Sequence, residues 1–144
     1  MPERNFNSLE AVGGFAFDWG NLTLTCGPRV NGAARFGAGV VHLPSGQGHR
    51  CHNPPGAAAT IHVPGGTGAQ MLEDADGTPA VQQVGQGRSV FGPESRFHPT
   101  LDTGKAKMRR FVGHSLTGAE SLTGPEEALR SLPDFRLIPP GAAS

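Results

Sequence analysis

The apolar and polar residues of this chain alternate with a period of two over several short runs. Leu22-Thr-Leu-Thr-Cys26 alternates apolar and polar side chains, and Phe36, Ala38, Val40 and His42 fall on one face of a second run. This alternation is typical of strands that bury one face. Four further runs have the same character: Ala69–Leu72, Val81–Val84, Ser89–Phe91 and Met108–Val112.

Glycine and proline separate these runs. The chain contains 22 Gly and 13 Pro, which favours frequent turns over long helices because Gly raises the entropy cost of ordering and Pro lacks a backbone donor. Glu73–Gly77 is predicted to be a polar hairpin turn, since Asp76 and Gly77 tolerate positive φ. The spacing of runs and turns predicts an all-β sandwich or barrel.

One helix is predicted near the C-terminal end. Thr123 and Glu126 fit a capping box, and a short helix over Gly124–Leu132 would stop at Pro133. The tail Pro133–Gly141 is predicted to be extended and packed by three apolar residues: Phe135, Leu137 and Ile138. Residues 1–10 form a polar lead-in for which no element is predicted.

Length and charge limit the functional classes. The 144 residues predict a single domain over 1–144, with a core from about residue 15 to residue 140. Twelve basic and twelve acidic residues are scattered, so neither a nucleic acid nor a membrane surface is an expected partner. With no apolar signal segment, we expect a cytoplasmic protein in which Cys26 and Cys51 are free thiols.

The segment Gly48–Gly68 resembles the first metal-binding motif of the cupins. That motif has a His-x-His pair, then a Glu, then a Gly, and His52 and Gly66 stand at the first and last of these positions. Pro54 replaces the second His and Ala59 replaces the Glu. Neither side chain can bind a metal ion, and Pro54 also removes a strand donor.

A second segment resembles the second cupin motif. Gly87, Pro93 and His98 match its Gly, Pro and His, whereas Arg88 replaces the usual Asp and Asp102 the usual Asn. From about Phe17 to Pro140 the chain therefore resembles the small single-domain cupins, which implies a jelly-roll β-sandwich around an apolar cavity.

Three stretches resemble the cupin-type cyclases of bacterial aromatic polyketide pathways. They are Phe17–Gly20, Arg35–Val41 and Pro93–His98. The resemblance implies a zinc ion held by histidines, an aromatic polyketide as the small-molecule partner, and aldol-type ring closure of a poly-β-ketone.

His52 and His98 remain as the candidate metal ligands, and His98 is also the candidate catalytic residue. An unligated histidine or a metal-bound hydroxide is the expected base. Two imidazoles make a weak zinc site, because catalytic zinc usually has three protein ligands. His49 is the third candidate, provided that a bulge or loop turns it inward. His62, His42 and His114 are interpreted as surface or core residues, and Cys51 as a small buried residue: none of the four has a spacing that favours metal binding.

Other side chains have two readings. Glu94 and Arg96 beside His98 could orient a substrate carbonyl, although an exposed ion pair is the commoner meaning. Six apolar residues could line the cavity or simply form the core: Phe17, Trp19, Phe36, Phe91, Phe97 and Met108.

The sequence thus predicts a metal-assisted polyketide cyclase, with two alternatives. A non-catalytic cupin that binds a small ligand and no metal would also show missing ligands. A cupin dioxygenase using iron or manganese is disfavoured, because Ala59 stands where it needs a carboxylate. The oligomeric state is left open between a monomer and a homodimer.

Overall fold

The computed structural model describes residues 5–49, 56–94, 98–105, 107–116, 129–130 and 134–141. Among them are one four-residue helix, α1 (Leu9–Val12), and eleven strands. The strands are β1 Gly14–Phe17, β2 Gly20–Cys26, β3 Phe36–Leu43, β4 Gly48–His49, β5 Ala59–Gly65, β6 Thr67–Glu73, β7 Pro79–Gly85, β8 Ser89–Gly92, β9 Thr100–Asp102, β10 Met108–Ser115 and β11 Arg136–Ile138. No helix in this part of the chain is long and apolar enough to cross a membrane.

The strands form two sheets. One sheet has seven strands in the order β11-β1-β2-β3-β10-β5-β8, and the other has four in the order β4-β9-β6-β7. All the pairings between described strands are antiparallel. Val84 of the four-stranded sheet packs in one apolar cluster with Val63 and Met108 of the seven-stranded sheet. The predicted all-β sandwich is confirmed.

Alternation along each strand decides which side chains enter this core. In β5, Ala59, Ile61 and Val63 are buried while Thr60 and His62 are exposed. The same inner face continues across the seven-stranded sheet through residues of four more strands. They are Phe15, Phe17, Leu22, Leu24, Val41, Leu43 and Met108.

The turn between β6 and β7 has the predicted polar chemistry. One carboxylate oxygen of Asp74 accepts hydrogen bonds from the backbone N–H groups of Asp76 and Thr78, at 3.1 and 3.0 Å. Gly77 adopts φ +85°, which a residue with a Cβ rarely adopts. The hairpin predicted over Glu73–Gly77 is therefore confirmed.

Gly66 joins β5 to β6 under two constraints. Its φ is +91°, and a Cβ placed there would lie 2.7 Å from the Cα of Met108. Glycine is thus required both by the turn and by the close approach of β10, which explains physically why the motif has glycine at this position.

The first and last strands of the described chain pair in the seven-stranded sheet. β11 pairs with β1, and the ring of Phe135 lies 5.6 Å from that of Phe15 and 6.1 Å from that of Phe17. The extended tail and the packing of Phe135 are confirmed. Leu137, in contrast, is 56% exposed, so the prediction that it packs in the core is wrong.

The helix that was predicted and the helix that the structure describes lie in different parts of the chain. Most of the helix predicted over Gly124–Leu132 lies outside the described residues, and Leu129 and Arg130 have helical backbone. α1 was not predicted. Its N-cap is Ser8, whose hydroxyl accepts a hydrogen bond from the N–H of Ala11 at 3.2 Å.

Candidate functional site

Five buried polar residues gather inside the sandwich, and we call them the interior polar cluster. They are Gln70 on β6, Thr100 and Asp102 on β9, Arg110 on β10, and His98 just before β9. Each is at most 4% exposed. Burying so many polar groups costs free energy unless they are hydrogen-bonded, so their partners determine what the cluster can do.

A chain of hydrogen bonds crosses from one sheet to the other. The guanidinium of Arg110 donates through Nη1 to the hydroxyl of Thr100 at 2.7 Å, and that hydroxyl donates to Oε1 of Gln70 at 2.5 Å. Nε2 of Gln70 donates to the carbonyls of His98 and Pro99, at 3.0 and 3.1 Å. The position of Arg110 is thus tied to the backbone at His98.

Asp102 has a different role within the cluster. One carboxylate oxygen accepts from the N–H of Gly104 at 2.8 Å, and the other accepts from the N–H of Met108 at 3.0 Å. Both oxygens therefore hold the connection between β9 and β10. The second cupin motif usually has Asn here, and Asp102 supplies acceptors to the same short connection.

The predicted metal ligands are only partly described. His98 is 3% exposed and lies at the edge of the interior polar cluster. His49 lies in β4, where the strand pairing sets it opposite Thr100, and its side chain is outside the described residues. His52, Cys51 and Pro54 also lie outside them.

Ala59 does lie in the described part of the chain, on the inner face of β5 and 4% exposed. A methyl group therefore occupies the inward position at which the cupin motif has its carboxylate. Among the residues described, no three His, Cys, Asp or Glu side chains stand close enough to hold a metal ion. These residues alone do not fit a zinc site.

The remaining histidines face other surroundings. His62 is exposed, and its Nδ1 lies 2.9 Å from the hydroxyl of Ser89. His114 packs over Gly37, on which a Cβ would lie 2.9 Å from the imidazole, and burial lowers the pKa of His114. The strand pairing sets His114 opposite Ala59, so these two side chains share a face of the sheet.

His42 is buried on the opposite face of β3 from Val41 and Leu43. Neither of its ring nitrogens has a hydrogen-bond partner among the residues described. Burial, and then the positive charges of Lys107 and Arg109, lower the pKa of His42 below 6.5. Burial and these two cations thus disfavour the protonated form of the imidazole.

The six apolar residues considered for the cavity divide into two groups. Phe17 and Met108 are core residues, and the ring of Trp19 stacks on that of Phe17 at 4.9 Å. Phe36 and Phe91 are 49% and 62% exposed, so the prediction that they line a cavity is wrong. They stand on the outer face of the seven-stranded sheet. Phe97 lies outside the described residues.

The residues predicted beside His98 are likewise only partly described. Glu94 is exposed and its carboxylate accepts a hydrogen bond from the N–H of Gly56. Arg96 lies outside the described residues. Glu94 thus has a backbone partner across the fold.

Three members of the interior polar cluster were not predicted: Gln70, Thr100 and Arg110. Thr100 and Asp102 follow His98 at steps of two, so they share its face of the strand. Arg110 interrupts the apolar alternation of Met108 and Val112 at an inward position. A charged residue at such a position was the signal available in the sequence.

Comparisons with known proteins identify the fold. No family model and no curated protein matches the sequence. Among solved structures, the chain is similar to an oxalate oxidase in complex with glycolate, with TM-score 0.66 and 15% identity over 79% of this chain and 60% of that one. It is similar to the Cnp3 cupin domain of Schizosaccharomyces pombe, with TM-score 0.61 and 14% identity over 86% and 80%.

A third similar structure is the Lactobacillus farciminis oxalate decarboxylase formate complex, with TM-score 0.62 and 14% identity over 71% of this chain and 30% of that one. The chain therefore spans less than two thirds of the oxidase and of the decarboxylase. At these identities the likeness shows the fold alone: the chain has the cupin fold. A fold does not determine a function, so the function must be argued from the site.

Proposed function

We propose that this cupin binds a small, oxygen-bearing organic molecule inside the sandwich, beside His98 and Arg110. The observation that supports this most is the guanidinium of Arg110, which is 1% exposed and held by Thr100. A guanidinium is always charged and presents several donors in a fixed plane. It is suited to the oxygen of a carbonyl, a carboxylate or an enolate.

More specifically, we propose that this protein is a polyketide cyclase, which closes a ring in a poly-β-ketone. His98 acts as the base that removes a proton from a carbon between two ketones, because imidazole titrates near neutral pH. Arg110 stabilises the negative oxygen of the resulting enolate in a site that excludes water. The enolate carbon then attacks a second carbonyl carbon, and the imidazolium of His98 returns its proton to the new alkoxide.

Confinement is the second contribution of the fold. A flexible polyketide chain can close in several ways, and a binding site that holds it in one conformation favours the conformers that bring the two reacting carbons together. The hydrogen-bonded path from Arg110 through Gln70 ends at the backbone carbonyl of His98, the residue that carries the proposed base.

The proposed function includes a zinc ion, and His49, His52 and His98 are its proposed ligands. When bound, the ion would polarise the ketone that is attacked. With zinc bound, the imidazole of His98 would be a ligand, so an unligated histidine would have to act as the base in its place, whereas Arg110 would keep its role.

The cyclase is tested by product analysis in a reconstituted aromatic polyketide synthase reaction, with and without this protein. We expect the parent to change the pattern of cyclised products and His98→Gln to lose that effect. His62→Gln is the matched control, because His62 is an exposed histidine of the same fold. Identical products with and without the folded parent would refute the cyclase.

Ala59 leaves the motif without its carboxylate ligand, and this favours a second candidate function: a non-catalytic cupin that binds the same class of molecule. Elemental analysis of untagged protein separates the candidates. One zinc per chain, lost in His98→Gln and kept in His62→Gln, supports the cyclase with its metal. Iron or manganese supports a dioxygenase. Absence of metal, together with binding of an anthraquinone such as emodin and no change of products, supports the binder.

A further inference from the structure

A cavity lies away from the interior polar cluster, where the two ends of the described chain meet. Its volume is about 640 Å³, and none of the interior polar cluster lines it. Its walls come from α1 and the residues around it, the start of β1, the segment after β2, and the tail that contains β11. It is therefore a separate candidate site.

The lining of this cavity is mostly apolar and includes two positively charged side chains. Six of the apolar residues are Phe6, Ala11, Val12, Phe15, Leu137 and Ile138. Arg29 and Arg130 are its charged residues, and no Asp or Glu occurs among the residues that line it in the described part of the chain. A mostly apolar cavity of this size with a few polar groups is typical of a small-molecule site.

Backbone contacts fix the walls. β1 pairs with β11 over Gly14–Ala16, and the N–H of Gly141 donates to the carbonyl of Glu10 at 2.7 Å. Gly13 connects α1 to β1 at φ +69°, and a Cβ there would lie 2.5 Å from the carbonyl oxygen of Ile138. The backbone of these walls is thus held in place by hydrogen bonds and close packing.

One of the two guanidiniums is positioned by an aromatic ring. The guanidinium carbon of Arg130 stands 5.5 Å from the ring centroid of Phe135, a distance at which a cation and a ring attract. Phe135 in turn packs on Phe15, which lines the cavity. Arg130 is therefore held at the cavity by the same aromatic packing that forms its floor.

We propose that this cavity binds a small amphipathic carboxylate. Its apolar body contacts Phe15 and Leu137, and its carboxylate accepts hydrogen bonds from Arg29 and Arg130, since guanidinium and carboxylate match in geometry and charge. The ligand's negative charge complements a lining that has two cations and an apolar floor.

The test compares octanoate with octanamide, which has the same shape and no charge, by isothermal titration calorimetry. Octanoate is expected to bind more tightly. Arg29→Gln and Arg130→Gln are each expected to weaken octanoate about fivefold, the size of an exposed ion pair, and to leave octanamide unchanged. Arg88→Gln is the matched control, because Arg88 is exposed in the turn before β8 and does not line the cavity.

Ala11→Trp tests the location by filling the cavity from an exposed position on α1, and it should abolish octanoate binding. Equal affinities for octanoate and octanamide, equal octanoate affinities in parent and both arginine variants, or no octanoate binding by the folded parent would each overturn the proposal. The proposal is independent of the cyclase: His98→Gln should bind octanoate as the parent does.

Discussion

The two sheets of the sandwich bring different chemistry to the same interior. The seven-stranded sheet faces inward mainly with apolar side chains, such as Leu43, Val41 and Val63. The four-stranded sheet faces inward with Gln70 and with Thr100 and Asp102 of β9. Apolar burial is strong and non-directional, whereas buried hydrogen bonds require defined geometry. The seven-stranded sheet therefore supplies most of the apolar burial. The four-stranded sheet supplies most of the buried hydrogen-bonding groups, and Arg110 of β10 joins them from the opposite sheet.

The largest loss of stability should come from truncating an apolar side chain on the inner face of the seven-stranded sheet. Leu43 is 0% exposed, so Leu43→Ala leaves a cavity and should lower the free energy of unfolding by about 3 kcal/mol. Val81→Ala is the control, because Val81 is 63% exposed on β7, and it should change stability by less than about 0.5 kcal/mol. Equal urea midpoints for the two variants would contradict this view of the seven-stranded sheet.

The next largest loss of stability should come from removing a hydrogen bond of the interior polar cluster. Thr100→Val keeps the shape but removes the hydroxyl that Arg110 and Gln70 share, at an expected cost of about 2 kcal/mol because buried polar groups lose their partner. Thr103→Val is the matched control on an exposed threonine. If urea unfolding gives both variants the same stability, the interior hydrogen bonds contribute no more than surface ones.

A third experiment places a metal-binding side chain at position 59, on the apolar inner face of the seven-stranded sheet. Pro54→His with Ala59→Glu restores two ligands of the cupin motif, and zinc at ten times its dissociation constant should then stabilise the fold by about 1.4 kcal/mol through mass action. The melting temperature with and without zinc measures this gain. The control pairs Pro54→His with Thr60→Glu, since Thr60 is exposed on the other face of β5. Equal zinc responses in the two variants would show that position 59 does not face a metal.

The smallest effect concerns the outer side of β3. Because burial, Lys107 and Arg109 lower the pKa of His42 below 6.5, the unfolded chain binds more protons than the folded one once the pH falls below 6.5. The contribution of His42 is therefore complete above pH 6.5 and is lost as the pH falls toward the lowered pKa.

His42→Asn should flatten the pH dependence of the free energy of unfolding between pH 7.5 and pH 5. Part of the slope should remain, because burial also lowers the pKa of His114. His62→Asn serves as the control on an exposed histidine. A slope in His42→Asn that equals that of the parent would mean that His42 does not titrate with folding.

The sequence predicted six of the strands that are long enough to show a period, but it missed β5, which has seven residues and alternates between buried and exposed side chains. Runs within β2, β3, β6, β7, β8 and β10 were recognised from alternation. In contrast, β4 and β9 have two and three residues, too few to display a period. α1 has a single turn, and its only local signal was Ser8 before Glu10.

The site was less predictable, for a physical reason. Alternation tells which residues share a face but not which face lies inside, and so Phe36 and Phe91 were assigned to the wrong side. The bond between Thr100 and Gln70 joins residues 30 positions apart, and it exists only because β6 and β9 pair. The motif located His98, whereas Arg110 could be understood only once the sheets were stacked.

The pairing of β1 with β11 has a consequence for the order of events during synthesis. β1 leaves the ribosome early, yet its outer edge has no partner in the described structure until Arg136–Ile138 have been made. Throughout that interval the nascent chain presents an open strand edge next to Phe15 and Phe17, and exposed edges of this kind invite association between chains. A ribosome paused before residue 136 should therefore carry a domain that is more prone to aggregate than the finished protein.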